Sequence, residues 1–316
     1  MNILYCFDEN YNKQGLVSIQ SFIDNNNCQL NINIIHNNFL TLQTEIKKLS
    51  NLKNVEINFF NFEESYKDLL PKKSLLHVSE ATYYRIFIEA YLDTKMDKIL
   101  YIDPDVVCIN NIQEDYKRVF NEQKKLNYII SARTSGYKNS ENSSFFETLN
   151  IKQKYFNAGV MFIDLIRWRE ENLTQELIAK MNKIKEVITF WDQDVLNAYF
   201  DGKYLELDKS LNFHISKNNV WEKYKIDKNI KLLHYSGSKK PWYVDGGIYE
   251  IANYYHSLHY KLFKNYHIII PHKKKALITM VKSILNFDIL KLEHPLKYLF
   301  QVIELILYGD KKKFNA

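Results

Sequence analysis

Three cysteines, eight glycines and five prolines are few for a chain of 316 residues, and each scarcity excludes a class of protein. Cys6, Cys28 and Cys108 are odd in number and show neither CxxC nor zinc-ligand spacing. A disulfide framework is therefore not expected, and a reducing cytoplasm is the natural compartment. So little glycine and proline leaves no flexible linker, and no internal repeat is present. The amino terminus runs directly into MNILYCF, without the basic region and long apolar core of a signal peptide. No apolar run reaches the length needed to span a bilayer.

The remaining composition, 46% apolar and 25% charged residues, fits one large α/β domain with an appendage. The net charge of +6 is unevenly held, because residues 261–316 contain eleven lysines against Asp288, Glu293, Glu304 and Asp310. The expected division is a nearly neutral main domain over 1–260 and a basic, amphipathic helical tail over 261–316.

In the first half, short apolar runs alternate with amphipathic ones, which predicts a mainly parallel sheet flanked by helices. Strands are expected at 3–7, 32–36, 55–60, 99–102 and 128–131. Leu16, Ile19, Phe22 and Ile23 fall at helical spacing, as do Leu42, Ile46 and Leu49 with Thr41 as cap. Ligands of such open sheets sit outside the carboxyl ends of the strands, where Asp8, Asn10 and Asp103 fall.

The segment KILYIDPDVV, residues 98–107, is the most informative. A buried strand ending at Ile102 delivers Asp103 and Asp105, and Pro104 narrows the geometry between them. Neighbouring carboxylates repel each other unless a cation lies between them, and their hard oxygens suit Mg²⁺ or Mn²⁺. A second segment, KLLHYSGSKKPW, also runs from apolar into polar residues. There His234 is a candidate third ligand, Gly237 lets backbone amides approach an anion, and Lys239 and Lys240 supply charge for phosphate oxygens. Taken singly, each has a plainer reading as a core histidine or a solvated surface charge.

Six blocks, in order, carry a family resemblance: ILYCFDENY, HVSEATYYR, ILYIDPDVV, YFNAGVMFIDLIRWR, WDQDVLNAYF and HYSGSKKPW. Over residues 1 to 245 the chain resembles the family 8 retaining glycosyltransferases, near the bacterial lipooligosaccharide α-galactosyltransferases. The resemblance implies a GT-A type nucleotide-binding fold, a UDP-galactose or UDP-glucose donor, Mn²⁺ (or Mg²⁺) and a glycan acceptor such as lipooligosaccharide. It implies a donor site with Cys6, Asp8, Asn10 and Tyr11 around the nucleoside, joined by Arg85, Ile102, Asp103, Pro104 and Asp105. Asn157 would lie near the donor sugar, Asp192 would hold its hydroxyls, Gln193 would lie beneath the anomeric carbon, and Gly237 and Lys240 would serve the phosphates. Asp103, Asp105 and His234 would be the metal ligands.

The residue chemistry is compatible with these roles, since Asp8 can accept from a base N–H and Tyr11 offers a flat face. FNAGVMFIDL reads as a glycine-containing loop or helix start leading into a strand at 160–163, and WDQDVLNAYF as a helix with an acidic first turn, where Asp194 caps or supports. Gln193 is a neutral amide and a poor nucleophile, which favours front-face attack by the acceptor over double displacement through Asp192. Where the family often has an acidic residue, SARTSGY offers Thr134, so both hexoses stay open as donors. The rival reading is another metal-dependent nucleotide enzyme, a nucleotidyltransferase or pyrophosphatase, built on the same paired carboxylates.

In the tail, Leu277, Ile278, Val281, Ile284 and Leu285 recur at helical spacing, and Leu296, Leu299, Phe300, Ile303 and Leu307 do so again between Pro295 and Gly309. Lysines at 273–275 and 311–313 flank them. The expectation is an interfacial helix pair on the anionic cytoplasmic face of the plasma membrane, with packing on the domain or on a partner chain as the alternative. No nucleic-acid recognition motif accompanies the charge.

Overall fold

The computed structural model describes residues 1–50, 54–71, 80–215 and 226–309. Four strands, β1 (Asn2–Phe7), β2 (Leu30–His36), β3 (Val55–Asn61) and β4 (Lys98–Ile102), pair in parallel, with helices Asn12–Asn25 and Gln43–Ser50 in the first two crossovers. Ile3, Leu4 and Tyr5 are all fully buried, as are Leu100, Tyr101 and Ile102. Such continuous apolar runs are what a sheet covered on both faces requires.

Beyond β4, the short strand β5 (Val106–Cys108) leads to a helix, Gln113–Lys125, and then to β6 (Ile130–Tyr137) and β7 (Lys154–Asp164). β7 inserts antiparallel between β4 and β6, and β8 (Leu205–Glu206) pairs parallel with β6. The sheet order is β3-β2-β1-β4-β7-β6-β8, so β7 alone runs against the rest. A second sheet places β10 (Leu232–His234) between β5 and β9 (Phe213–His214), and its register sets His234 opposite Val106. That pairing carries a residue more than a hundred positions away to the turn that holds Asp105.

Several expectations are corrected here. The segment Asn157–Gly159 is neither loop nor helix start but lies within β7, because it is paired through Arg133↔Asn157 on one side and by the Asp103 amide to the Gly159 carbonyl (2.8 Å) on the other. β6 extends to Tyr137 and takes in Thr134. Thr41 does not cap the following helix, since it lies within a 3₁₀ turn, Phe39–Leu42, where its hydroxyl donates to the Asn38 carbonyl at 2.8 Å.

At the carboxyl end, a helix spanning Asn253–Phe263 is tied to the first helix by Lys261 and Asp24 at 2.7 Å. Helices Lys273–Leu285 and Pro295–Tyr308 follow, the latter with proline in its first turn and Gly309 (φ 69°) as its cap. Ala276, Met280, Tyr298 and Val302 share one buried apolar cluster with Val244 and Ile248. The stripe Leu277, Ile278, Val281, Ile284 and Leu285 is by contrast exposed. The lysines at 311–313 lie outside the described residues, among which no helix is long and apolar enough to cross a membrane.

Candidate active site

The carboxyl ends of β4 and β10 build the centre of the site. Asp103 follows β4 directly, and a turn closed by the Val106 amide on the Asp103 carbonyl (3.1 Å), with Pro104 at its second position, brings Asp105 back beside it. His234, 2% exposed, enters from β10. One ligand atom each from Asp103, Asp105 and His234 lies within 4.8 Å of the others, the one such acidic or imidazole trio among the described residues. Lys240 donates to Asp105 Oδ2 at 2.5 Å and to the Tyr235 carbonyl at 2.7 Å. Burial alone would raise the Asp105 carboxyl, but the Lys240 ammonium beside it holds it well below the usual range. Its other oxygen, Oδ1, is buried without a hydrogen bond, with His234 Nε2 at 3.2 Å.

Gly159 forms the floor. A Cβ there would lie 2.3 Å from His234 Cε1 and 2.7 Å from Asp103 Oδ2, so only glycine leaves room for both ligands. Behind Asp103, Tyr101 donates to its Oδ1 at 2.6 Å. Arg85, 3% exposed, stacks its guanidinium on the Tyr101 ring at 4.3 Å and bridges Asp103 (3.3 Å) and Asp192 (2.6 Å), while donating to the Ala158 carbonyl at 2.6 Å. Arg85 belongs to a 3₁₀ segment, Glu80–Phe87, that packs this face inward. Burial pushes the Asp192 carboxyl up to about 7, with Arg85 opposing it.

Beside the trio, Asn157 and Gln193 form an amide pair. Gln193 Oε1 accepts from the Ala158 amide (3.0 Å) and from Asn157 Nδ2 (3.2 Å), and Gln193 Nε2 donates to Tyr155 Oη (3.0 Å). Tyr155 in turn donates to Asp194 at 2.6 Å, and the second oxygen of Asp194 takes the Thr189 and Phe190 amides, which fixes the start of the helix Trp191–Phe200. Asp194 is thus a support for Gln193.

The remaining predicted residues lie at or just beyond the ends of β1 and β4 and on the loop after β10. Cys6 and Ile102 are buried in the core, and burial pushes the Cys6 thiol up. Asp8 accepts from the Asn10 amide (3.0 Å) and side chain (3.2 Å), while Tyr11 stands edge-on to Trp242 with ring centroids 6.1 Å apart. Gly237 takes a left-handed φ of 86°, which turns the chain between His234 and Lys240. Tyr101, Tyr155, Gly159 and Asn212 were not singled out from sequence. Tyr101 reads as one more apolar strand residue, and Asn212 as the last residue of an unremarkable SLN.

The profile of Glycosyl transferase family 8 matches residues 2–246. A putative glycosyltransferase of Haemophilus influenzae is 29% identical over 77% of this chain and 73% of its own length. A lipopolysaccharide 1,2-glucosyltransferase of Escherichia coli K12 is 28% identical over 81% of this chain and 76% of its own. Among solved structures, the galactosyltransferase LgtC in complex with donor and acceptor sugar analogues superposes with a TM-score of 0.68 at 21% identity, covering 83% of this chain and 96% of that one. The shared fold is GT-A, a central, mostly parallel seven-stranded sheet flanked by helices. Because the family profile spans both sheets and the loop that bears Lys240, this chain belongs to glycosyltransferase family 8.

Proposed function

We propose that the protein transfers galactose or glucose from its UDP-sugar to a glycan acceptor, lipooligosaccharide or another cell-surface glycan, with retention of anomeric configuration. Asp103, Asp105 and His234 would hold one divalent ion, Mn²⁺ or Mg²⁺, which when bound offsets charge on the donor diphosphate. The observation that carries this reading is the buried Asp105 Oδ1, which has no hydrogen bond and faces an imidazole nitrogen, with a second carboxylate in reach. Two carboxylates and one imidazole suit a hard or borderline cation. Lys240, already against Asp105, is placed to take the phosphate oxygens as UDP departs.

At the sugar end the chain offers amides. Asn157 and Gln193 present fixed dipoles, and Asp192 is paired with Arg85, an arrangement that favours front-face attack with the leaving phosphate accepting the acceptor's proton. The curated relatives include both a 1,2-glucosyltransferase and a 1,3-galactosyltransferase of lipopolysaccharide, which supports the acceptor class and leaves either hexose as donor. The exposed apolar stripe beside Lys273, Lys274 and Lys275 supports peripheral attachment to an anionic, cytoplasmic membrane face.

The test is product analysis with a panel of radiolabelled UDP-sugars, using water as the default acceptor. Free UDP and sugar should appear from UDP-galactose or UDP-glucose, stop with chelator or Asp103→Ala, and fall partially with Gln193→Ala. Pyrophosphate or nucleoside monophosphate as product would point to the rival nucleotide chemistry, and full activity of Asp103→Ala would overturn the metal site.

A further inference from the structure

Two backbone amides start a chain of hydrogen bonds whose direction is forced at every link. An N–H only donates, so Gln193 Oε1 and Asn157 Oδ1 are acceptors for Ala158 and Gly159, each at 3.0 Å. Asn157 Oδ1 also receives Asn212 Nδ2 at 3.0 Å, which turns Asn212 Oδ1 toward His234 Nδ1 at 2.9 Å. A carbonyl oxygen has no proton to give, so in the neutral ring Nδ1 carries the hydrogen and Nε2 points its lone pair at Asp105 Oδ1. Asn212 is fully buried, and both of its amide atoms are committed.

We propose that Asn212 is a positioning residue that fixes the tautomer of His234 and couples it to the amide pair at the sugar end. One residue thereby links the two ends of the separating charge, the imidazole beside the carboxylates and Asn157 beside Gln193. The part concerning metal affinity rests on the metal-dependent reading above, whereas the tautomer does not. Partners that orient a ligating histidine in this way contribute about 10–100-fold to metal affinity.

The test uses the full chain in two steps. First, ¹⁵N NMR of the metal-free protein above neutral pH reports the His234 tautomer directly. Wild type should show the Nδ1–H form, Asn212→Leu a mixture, and Asn212→Asp the Nδ1–H form again, since a carboxylate accepts from the ring as the amide does. Second, Mn²⁺ titration followed by electron paramagnetic resonance should show Asn212→Leu weakened about 10–100-fold and Asn212→Asp close to wild type. Transfer by Asn212→Asp should nevertheless fall, because aspartate cannot donate to Asn157. Asn212→Leu with an unchanged tautomer and unchanged Mn²⁺ affinity would overturn the inference, as would Asn212→Asp losing the metal as badly as leucine. Wild-type Mn²⁺ binding that Asp103→Ala leaves intact would sink the metal reading instead, with the NMR result standing on its own.

Discussion

Gly159→Ala is the sharpest steric probe of the site. The glycine is not among those with left-handed φ, so alanine meets no backbone penalty and the whole effect is one methyl group. That methyl would sit 2.3 Å from His234 Cε1 and 2.7 Å from Asp103 Oδ2, where real Cβ contacts stay beyond 3.0 Å. The imidazole must therefore retreat by at least 0.7 Å (3.0 less 2.3) and the carboxylate by at least 0.3 Å (3.0 less 2.7). His234 is hydrogen-bonded to Asn212 and 2% exposed, so it has no free space to enter. Ligand positions tolerate errors of about 0.2 Å, and overpacking of a filled interior costs about 1–3 kcal/mol. We expect a folded protein with a lowered melting temperature and Mn²⁺ affinity reduced at least about tenfold, roughly 1.4 kcal/mol, read by calorimetric titration. A Gly159→Ala protein that binds Mn²⁺ as wild type does would show that Asp103 and His234 do not converge on one ion over this glycine.

Three other outcomes follow from the geometry. Lys240→Met removes the cation beside Asp105, and loss of a charge-assisted contact worth about 1.5–3 kcal/mol should weaken UDP binding in the presence of Mg²⁺ about 10–100-fold; unchanged UDP affinity would place the phosphates elsewhere. Burial pushes His256 down to about 3 and His259 to about 4, so the unfolded chain takes up protons first as pH falls below about 6.5. Each then costs about 1.4 kcal/mol per pH unit, roughly 2 kcal/mol apiece at pH 5, and the melting temperature should drop between pH 6.5 and 5; a flat profile would refute the buried neutral state. Leu285 and Phe287 are 71% and 70% exposed, so Leu285→Glu with Phe287→Glu should leave melting unchanged yet cut binding to anionic liposomes at least about tenfold, and undiminished binding would count against membrane attachment.

The legible parts of this site are those whose chemistry is local. An apolar strand broken by Asp-Pro-Asp announces both the strand end and the paired carboxylates, and the parallel β1–β4 layout follows from runs that are apolar without alternation. The segment Asn157–Gly159 misleads because asparagine and glycine are loop residues by propensity, whereas pairing on both sides, which no local pattern reveals, holds them in β7. Arg85 has the composition of a helix-surface cation and becomes a buried bridge because Asp103 and Asp192 arrive from two other elements. In the tail, periodicity predicts two amphipathic helices and marks the apolar stripe of the first, which is exposed, but it does not reveal that Ala276 and Met280 bury on the other side of the same helix.

What decides the arrangement is β7, the one strand of the seven-stranded sheet that runs against its neighbours. Between Ser131↔Phe162 and Arg133↔Asn157, five steps along β7 are matched by two along β6, and the excess length carries Ala158 and Gly159 out of the β6 ladder. The Ala158 amide and carbonyl are then free to orient Gln193 and hold Arg85, while Gly159, whose carbonyl continues the β4 ladder on the Asp103 amide, turns its own amide to Asn157. A regular ladder would have used the Ala158 groups on β6. The irregularity therefore converts backbone pairing into the orientation of the amide pair and of Arg85 behind Asp103, which is why a strand rather than a loop carries this centre.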